Sequence, residues 1–384
     1  MKHLFLALIG DGFGEALQGV RMAEALVAAG DEVLFLAPGA LSIVLGRAPV
    51  RAGWVDRAAL AGRVVEEVAA AAIAESVSSI VLCDTAGVVN ALLTRHEQPA
   101  HLFELGMPVL GLDLWNLAEA APLWDLAHEL RRIPPEAWQR VRRLLPVPFA
   151  RPDAPGAYDA LPPGEPLDED TRRSVREELG LSPTLPLVLW PVAAWQTVRG
   201  QLKPSGKELA EALPRRVLAY LERLGVALQL VQIGGSPIAD AGGRLAFRWL
   251  PSLAPPAFRR LLAAADLLLG FNQSASSLGS ACVAGVPCLV GINSSNEPPF
   301  TPFRVWPLGL HNFLAPVLAG NPVTTTYRTV EVLDEAAWSS ACRALLAEAE
   351  PREAQRRAQR DYVARVRALP GPAQRFHEAL VSAG

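Results

Sequence analysis

Short runs of consecutive apolar residues alternate with longer segments of helical periodicity along most of this 384-residue chain. A strand that is apolar on both faces must be buried on both faces, so the alternation predicts parallel sheets covered by helices on each side. The predicted strands are residues 3–9, 32–37, 80–83, 108–112, 187–191, 227–233, 267–269 and 288–292. The predicted helices are residues 16–29, 63–76, 169–179, 206–224 and 256–265, with a last helical stretch from 352 to 381 that is interrupted at Pro370-Gly371.

The pattern breaks between residues 146 and 186, where Pro, Gly and acidic residues accumulate. We therefore expect an α/β protein with two Rossmann-like domains, at residues 1–160 and 186–355, connected by a linker region at 161–185. Residues 356–384 are expected to form a kinked C-terminal helical segment that packs back toward the first domain. Two such domains in succession predict an interdomain cleft that is lined by the carboxyl ends of the strands.

Charge and cysteine usage argue against several classes of function. The chain has 36 basic and 39 acidic residues, and a net charge of -3 gives no sign of a surface for nucleic acid or an anionic membrane. The four cysteines and six histidines show no metal-ligand spacing, so we expect reduced thiols in a cytoplasmic protein and no structural metal. The apolar N-terminal segment lacks a cleavage site, and no apolar run reaches the roughly 18 residues of a membrane span.

A segment of small polar residues follows the predicted strand at 267–269. Small residues let backbone N–H groups approach a ligand closely, and a helix that begins near Ser276 or Ser277 directs its positive end at an anion. This arrangement is typical of a site that holds a diphosphate. The alternative is an ordinary loop in which a Ser or Asn side chain caps the helix and nothing is bound. The residues assigned to this candidate site are Asn272, Ser274, Ser276, Ser277, Leu278 and Gly279.

These features resemble the GT-B-fold glycosyltransferases, in architecture over nearly the whole chain and most specifically within residues 247–299 and the first forty residues. Trp249-Leu250-Pro251 is similar to a Trp-x-Pro segment that lies near the donor base in inverting members. Asn272 stands at the place of a His that contacts the diphosphate, Ser277 matches a family Ser, and Ser280 replaces the Glu that holds the ribose. Asn296-Glu297 corresponds to an Asp-Gln pair that binds sugar hydroxyls.

The resemblance also implies a general base close to the glycine-rich turn after the first strand. In this chain the turn is formed by residues 10–14, and Glu15 occupies the position of a catalytic His. Asp84 and Asp113 follow later strands, so each of the three carboxylates is a candidate base. The alternatives are an acid favoured by the helix dipole at Glu15 and helix caps at Asp84 and Asp113. The further residues assigned to nucleotide-sugar binding are Gly12, Gly14, Trp195, Gly234, Gly235, Trp249, Leu250, Asn296 and Glu297, with Arg199, Lys203 and Lys207 as supplementary cations.

The implied activity is metal-independent transfer of a sugar from a nucleotide-sugar donor to a small-molecule acceptor, with no cofactor besides that co-substrate. Residues 303–322 are similar to GT-B-like proteins found beside natural-product biosynthesis enzymes. Because Ser280 is too short to reach both ribose hydroxyls, a second hypothesis keeps the fold and changes the chemistry to epimerisation or a pseudo-glycosyltransferase coupling. A third hypothesis is a non-catalytic nucleotide-binding protein. The sequence leaves open a homodimer.

Overall fold

The chain forms two compact units, each with its own parallel sheet. The N-terminal unit comprises Met1–Ala160, Pro316–Asn321 and Val366–Gly384, and the C-terminal unit comprises Leu161–Ala315 and Pro322–Arg365. The computed structural model describes residues 1–8, 13–46, 48–54, 63–93, 97–114, 140–148, 150–192, 204–237, 245–273, 275–292, 318 and 320–382. The predicted class, α/β with two Rossmann-like domains, is confirmed.

The N-terminal unit contains a seven-stranded sheet in the order β3-β2-β1-β4-β5-β6-β7, in which every adjacent pair is parallel. Its strands are β1 (Lys2–Leu6), β2 (Glu32–Ala37), β3 (Arg51–Trp54), β4 (Ser79–Leu82), β5 (Val109–Leu112), β6 (Arg142–Val147) and β7 (Ala157–Asp159). The helices between them are α1 (Phe13–Ala28), α2 (Ser42–Leu45), α3 (Val64–Ala74), α4 (Thr85–Leu93) and α5 (Ala100–Phe103).

The C-terminal unit contains a six-stranded parallel sheet in the order β10-β9-β8-β11-β12-β13. Its strands are β8 (Leu187–Pro191), β9 (Leu228–Ile233), β10 (Leu245–Leu250), β11 (Leu267–Gly270), β12 (Cys288–Ile292) and β13 (Arg328–Glu331). The helices of the second half of the chain are α6 (Glu169–Glu178), α7 (Pro204–Arg223), α8 (Pro255–Ala263), α9 (Ser276–Ala284), α10 (Glu335–Ala347), α11 (Ala349–Arg367) and α12 (Pro372–Val381).

Helix α1 lies close against the sheet because it has a glycine at the point of contact. A Cβ atom on Gly19 would lie 2.5 Å from Sγ of Cys83 and 3.5 Å from Cε1 of Phe35. Cys83 directly follows β4, and its side chain is buried in the same apolar cluster as Phe35. The close approach brings the start of α1 to the carboxyl edge of β1 and β4. All four cysteines of the chain are buried and unpaired.

The C-terminal helical stretch breaks at Pro370-Gly371, as predicted, and is bent by 38°. Helix α12 packs against α1, β6 and β7 within the N-terminal unit. Arg142 on β6 donates hydrogen bonds to the carbonyl oxygens of Ala379 and Leu380, at 3.1 and 2.7 Å, and so satisfies the end of this helix.

Residues 161–185, expected to form a linker region, lie within the C-terminal unit. Helix α6 is fixed there by Asp266, whose carboxylate accepts hydrogen bonds from Arg172 at 2.7 Å and from Arg176 at 2.8 Å. The same carboxylate accepts from the backbone N–H of Leu187 at 2.7 Å, which ties α6 to the first strand of the second sheet. The sequence of α6 is mostly polar, so ion pairs of Arg172 and Arg176 with Asp266 attach this helix to the unit in place of apolar contacts.

Five strands were not predicted, and four of them are the outer strands of the two sheets: β3, β7, β10 and β13. An outer strand pairs on one side only and need not be covered on both faces, so it can lack a long continuous apolar run. The sequence of β10, LAFRWL, alternates buried and exposed residues, and β13, RTVE, has a single buried residue. The fifth missed strand, β6, is the neighbour of the outer strand β7 and begins with two arginines.

Candidate functional site

Each sheet has one point where the strand order reverses direction. In the N-terminal unit it lies between β1 and β4, and in the C-terminal unit between β8 and β11. Ligands of open parallel sheets bind outside the carboxyl ends of the strands at such a switch point. The topology therefore predicts ligand sites at the residues that directly follow β1 and β4 in one unit, and β8 and β11 in the other.

Two aspartates lie side by side at the switch point of the N-terminal unit. Leu82 is the register partner of Gly111, Asp84 and Asp113 each follow two residues later, and the charge of Asp113 acts on Asp84. Both side chains are buried, with 5% of Asp84 and 1% of Asp113 exposed. Glu15 lies in the first turn of α1 and is half-buried. The structure therefore brings together the three candidate bases of the sequence analysis.

The environment of Asp84 favours its neutral form. Burial, together with the negative charges of Glu15 and Asp113, raises the pKa of this carboxyl to about 8. The carboxyl accepts hydrogen bonds from the backbone N–H groups of Gly87 and Ala86, which act in the opposite direction. Asp84 thus caps α4, as the capping alternative predicts. Its Oδ1 atom is buried and has no hydrogen-bond partner among the described residues.

Asp113 has a different environment from its neighbour. Its backbone N–H donates to the carbonyl oxygen of Leu144 at 2.9 Å, and its Oδ2 lies 3.5 Å from Nη1 of Arg143. Arg143 is on β6 and its side chain is 37% exposed, so the buried carboxylate of Asp113 lies beside a guanidinium group that is in contact with solvent. An adjacent guanidinium favours the charged carboxylate. The two neighbouring aspartates are therefore not equivalent.

The switch point of the C-terminal unit offers amide donors instead of carboxylates. Helix α9 begins at Ser276, and its N-cap is Ala275, which has extended backbone geometry and no side-chain cap. The N-cap residue itself therefore offers no side-chain acceptor to the amides of this helix. The N–H of Leu278 donates to the carbonyl of Ala275 at 3.0 Å, whereas no backbone carbonyl in the described part of the chain accepts from the N–H of Ser276 or Ser277.

The predicted residues of this segment separate into two groups. Asn272, Ser276 and Ser277 are partly exposed, whereas Leu278 and Gly279 are buried, with Leu278 in an apolar cluster with Leu268 and Val290. Ser280 is also buried, and its hydroxyl donates to the carbonyl of Ser276 at 3.4 Å. Only the first turn of α9 is thus available to a ligand, because Gly279 already lies within the hydrogen-bonded ladder of the helix.

A tight turn after β9 brings four further predicted residues together. Gly234 and Gly235 both have left-handed backbone conformations, with φ of 73° and 60°. A Cβ on Gly234 would lie 2.6 Å from the carbonyl oxygen of Val192, so only glycine fits. The N–H of Gly234 donates to the carbonyl of Leu250 at 2.9 Å. The indole Nε1 of Trp249 donates to the carbonyls of Gly234 and Gly235 at 3.2 and 3.3 Å, and Trp249 remains 37% exposed.

Sequence reasoning missed Gln232, whose side chain stabilises this turn by hydrogen bonds to its backbone. Its Nε2 donates to the carbonyl oxygens of Gly234 at 2.9 Å and Ser236 at 2.8 Å, and the side chain is buried. The available signal was a glutamine inside the otherwise apolar run of β9, LQLVQI. A buried amide in such a run requires hydrogen-bond partners close by.

Several predicted residues lie outside the described residues: Gly12, Trp195, Arg199, Lys203, Ser274, Asn296 and Glu297. Gly14 lies in the first turn of α1, and the backbone of Lys207 lies in α7. Within the described ranges, no group of three or more His, Cys, Asp or Glu side chains is arranged to hold a metal ion. No helix in the described part of the chain has the length and apolar character needed to cross a membrane.

The fold matches solved glycosyltransferases along its full length. SnogD from Streptomyces nogalater is 19% identical, with 100% of this chain and 99% of that chain covered at a TM-score of 0.60. The spinosyn forosaminyltransferase SpnP is 16% identical, with 99% of each chain covered at a TM-score of 0.63. The glycosyltransferase VinC, in complex with DTDP, is 14% identical, with 100% of both chains covered at a TM-score of 0.58. The fold of this chain is thus the GT-B glycosyltransferase fold, in a divergent form.

The family assignment comes from a sequence profile. The Family of unknown function (DUF6365) matches residues 22–299 and 294–384, so the chain belongs to the DUF6365 family. No curated protein matches the sequence.

Proposed function

We propose that this protein is a glycosyltransferase that moves a sugar from a nucleotide to a hydroxyl group of a small-molecule acceptor. The fold supports this proposal, because it matches glycosyltransferases over the full chain. The single observation that favours a nucleotide donor is the start of α9, a helix N-terminus at the switch point of the second sheet whose N-cap residue, Ala275, offers no side-chain acceptor. Such a terminus attracts an anionic group through its free amides and its dipole.

The C-terminal unit would hold the nucleotide. The amides of Ser276 and Ser277 would bind the diphosphate, and the exposed part of Trp249 beside the Gly234-Gly235 turn would stack on the base. During transfer, the bond between the anomeric carbon and the diphosphate oxygen breaks while a bond to the acceptor oxygen forms. The helix stabilises the negative charge that develops on the diphosphate, and this contribution supports a metal-independent mechanism. DTDP, the ligand of VinC, is the first nucleotide to test.

The N-terminal unit would bind the acceptor and take its proton. A general base must be ionised and must reach the acceptor hydroxyl. Asp84 is occupied as a helix cap and its raised pKa keeps it protonated near neutral pH, while Asp113 is nearly completely buried beside Arg143. Glu15 is the most exposed of the three carboxylates and lies in the first turn of α1. We therefore assign the base to Glu15.

One observation favours a second candidate function. Ser280, at the position where the resemblance implies a ribose-binding Glu, is buried and directs its hydroxyl at the carbonyl of Ser276. This side chain is not available to a ribose, so the nucleotide would be held with one contact fewer. The second candidate is therefore a protein of the same fold that binds a nucleotide but does not transfer a sugar. It would be an epimerase, a pseudo-glycosyltransferase or a non-catalytic nucleotide-binding protein.

A ligand screen separates these candidates. Thermal unfolding is measured with thymidine, uridine, guanosine and adenosine diphosphates and with their sugar conjugates, because a ligand that binds the native state raises the melting temperature. Each stabilising nucleotide sugar is then incubated with a panel of hydroxylated acceptors, and the products are separated by chromatography. Release of nucleoside diphosphate with a new glycoside supports the transferase. Stabilisation without turnover supports the second candidate, and no stabilisation by any nucleotide contradicts both.

A further inference from the structure

The switch point of the N-terminal unit contains two buried polar atoms that lack partners. Oδ1 of Asp84 and Oγ1 of Thr85 are both buried with no hydrogen-bond partner among the described residues. Asp84 is 5% exposed and Thr85 is 1% exposed. Unpartnered buried polar atoms are rare in native proteins because each loses its hydration without compensation. Two on adjacent residues at a switch point, where ligands of open parallel sheets bind, are candidate contacts for a ligand.

Both atoms lie next to Asp113. A Cβ on Gly111 would collide with Oγ1 of Thr85, so this hydroxyl lies directly over Gly111. Side chains two residues apart on a strand share a face of the sheet, which places Asp113 on the face covered by Thr85. Asp84 precedes Thr85 in the chain and interacts electrostatically with Asp113. The unpartnered hydroxyl and the unpartnered carboxyl oxygen thus belong to adjacent residues that both lie close to Asp113.

When Asp84 is ionised, a hydrogen-bond donor that tolerates negative charge completes both atoms. A carboxyl oxygen accepts hydrogen bonds, and Glu15, Asp84 and Asp113 interact electrostatically with one another. The cation that the structure records there is Arg143, which is 3.5 Å from Asp113. The three carboxyls do not converge closely enough to form a metal site within the described residues. An organic cation with several N–H groups satisfies these requirements, because it can contact acceptors that are spread over several ångströms.

We infer that the acceptor is a hydroxylated amine, and that Asp84, Asp113 and Thr85 hold its protonated amino group while Glu15 faces the reacting hydroxyl. The inference rests on the proposed function, since it names the class of the acceptor. The amine is an anchor in this arrangement, because a protonated amine has no lone pair for attack. Bonds form and break only at the hydroxyl oxygen and the anomeric carbon.

The test uses amines paired with neutral analogues. Glucosamine and 2-deoxystreptamine are titrated calorimetrically into the full-length protein at pH 7 without a nucleotide, each beside its N-acetylated derivative. N-acetylation keeps the hydroxyls and removes the charge. We expect an amine to bind at least tenfold more tightly than its N-acetylated derivative. Equal affinity of both forms, or no binding by either amine, would overturn the inference.

Proton release is a second readout that a nonspecific amine site would not show. The groups that face Asp84 are Glu15 on α1, Cys83 at the end of β4, and Asp113, itself beside Arg143 on β6. An ammonium ion next to the protonated Asp84 carboxyl favours its ionisation, so binding releases a proton near pH 7. The release is measured by repeating the titration in buffers of different ionisation enthalpy. Binding with no proton exchange contradicts contact with Asp84.

Two variants locate the amine. Asp84→Asn keeps an oxygen that caps α4, and Thr85→Val keeps the shape while removing the unpartnered hydroxyl, so both are expected to fold. Asp84→Asn should weaken amine binding at least tenfold, and Thr85→Val should weaken it at least threefold. The matched control is Asp168→Asn, a helix-capping aspartate of α6 in the C-terminal unit, which should leave amine affinity unchanged. Unchanged affinity in Asp84→Asn overturns the inference.

The outcomes separate this inference from the proposed function. If a nucleoside diphosphate binds and neither amine does, the inference fails and the transferase proposal stands. If an amine binds as described and no nucleotide does, the amine site stands and the transferase proposal fails.

Discussion

The two sheets have the same strand order around their switch points, but the groups at the two points carry opposite polarity: carboxyl groups in one unit and backbone amides in the other. In the N-terminal unit the strands β4 and β5 end in buried carboxyls, which accept protons or cations. In the C-terminal unit β11 is followed by the N-terminus of α9, which has neutral side chains and an N-cap residue, Ala275, that offers no side-chain acceptor. Such a helix end attracts anions. The comparison teaches that the backbone topology selects the location of a site, whereas the first side chains after each strand select what it binds.

The largest effect should come from removing the proposed base. Glu15→Gln keeps the shape and hydrogen-bonding capacity of the side chain but cannot take a proton, so we expect turnover to fall by about 10²–10⁴-fold. Donor affinity should stay within twofold, because the change lies in the other unit. Steady-state rates and calorimetric donor affinities measure the two effects. Unchanged turnover would remove Glu15 from the mechanism.

The second prediction concerns two helix-capping aspartates with opposite pKa shifts. Burial raises the pKa of Asp84 to about 8 in the native state, well above the ordinary value of 3.8, so the native protein holds this proton more tightly than the unfolded chain. The free energy of unfolding should therefore fall as pH rises from about 4 to about 8, by up to about 1.4 kcal/mol per pH unit. In Asp84→Asn this fall should disappear, which makes the variant more stable than the wild type at pH 8.

Asp168 provides the contrast for this measurement. It is exposed and accepts a hydrogen bond from the N–H of Thr171 at 2.8 Å, which lowers its pKa below 3.8. Its stabilising contribution is present near neutral pH and is lost as pH falls through the lowered pKa. Asp168→Asn should therefore leave the decline between pH 4 and 8 intact. Chemical denaturation at a series of pH values measures all three proteins, and an unaltered decline in Asp84→Asn would contradict the assignment.

The third prediction tests the amides of α9 directly. Ser276→Pro deletes one N–H at the first helical position, where proline is well tolerated, and the extended conformation of Ala275 suits a residue before proline. Loss of a hydrogen bond to a charged group should weaken binding of a nucleoside diphosphate by about 10- to 100-fold. Ser276→Ala retains the N–H and should bind within about threefold of the wild type. Equal loss in both variants would place the interaction on the hydroxyl instead.

The smallest expected effects compare two strand glycines, one in each unit. A Cβ on Gly111 of β5 would collide with Thr85 and lie 2.7 Å from Cγ1 of Val141, so Gly111→Ala should destabilise the protein by about 1–3 kcal/mol. A Cβ on Gly270 of β11 would meet nothing closer than 3.9 Å, so Gly270→Ala should be neutral or stabilising by less than about 1 kcal/mol. Urea denaturation compares them, and similar costs would show that both positions are equally packed.

The sequence predicted the central strands and missed β10 and β13 because neither is buried on both faces. It also missed β6 and β7, which are largely buried: β6 begins with two arginines, and β7 has only three residues. Strands β2, β8 and β12 have the predicted bounds, because burial on both faces demands an uninterrupted apolar run. In β10, LAFRWL, and β13, RTVE, residues on one face are exposed to solvent and can be polar. The remaining apolar residues of a strand of four to six residues are too few to form a recognisable pattern. The fold class was recoverable because it depends on the central strands.

The candidate site was predictable in part. Polar residues directly after apolar strands identify Asp84, Asp113 and the segment around Ser276 from the sequence alone. The pairing of Asp84 with Asp113 was not predictable, because it depends on the register between β4 and β5. The start of α9 at Ser276 was predicted correctly, whereas its N-cap residue, Ala275, was not, because alanine is a poor N-cap residue.

The most direct test of the central claim records the amide resonances of Ser276 and Ser277 during a titration with thymidine diphosphate, with thymidine as the uncharged control. If the start of α9 holds a diphosphate, both amides shift strongly with the diphosphate, saturate together at one dissociation constant, and do not respond comparably to thymidine. Saturable binding of the diphosphate that leaves these two amides unshifted would contradict the account.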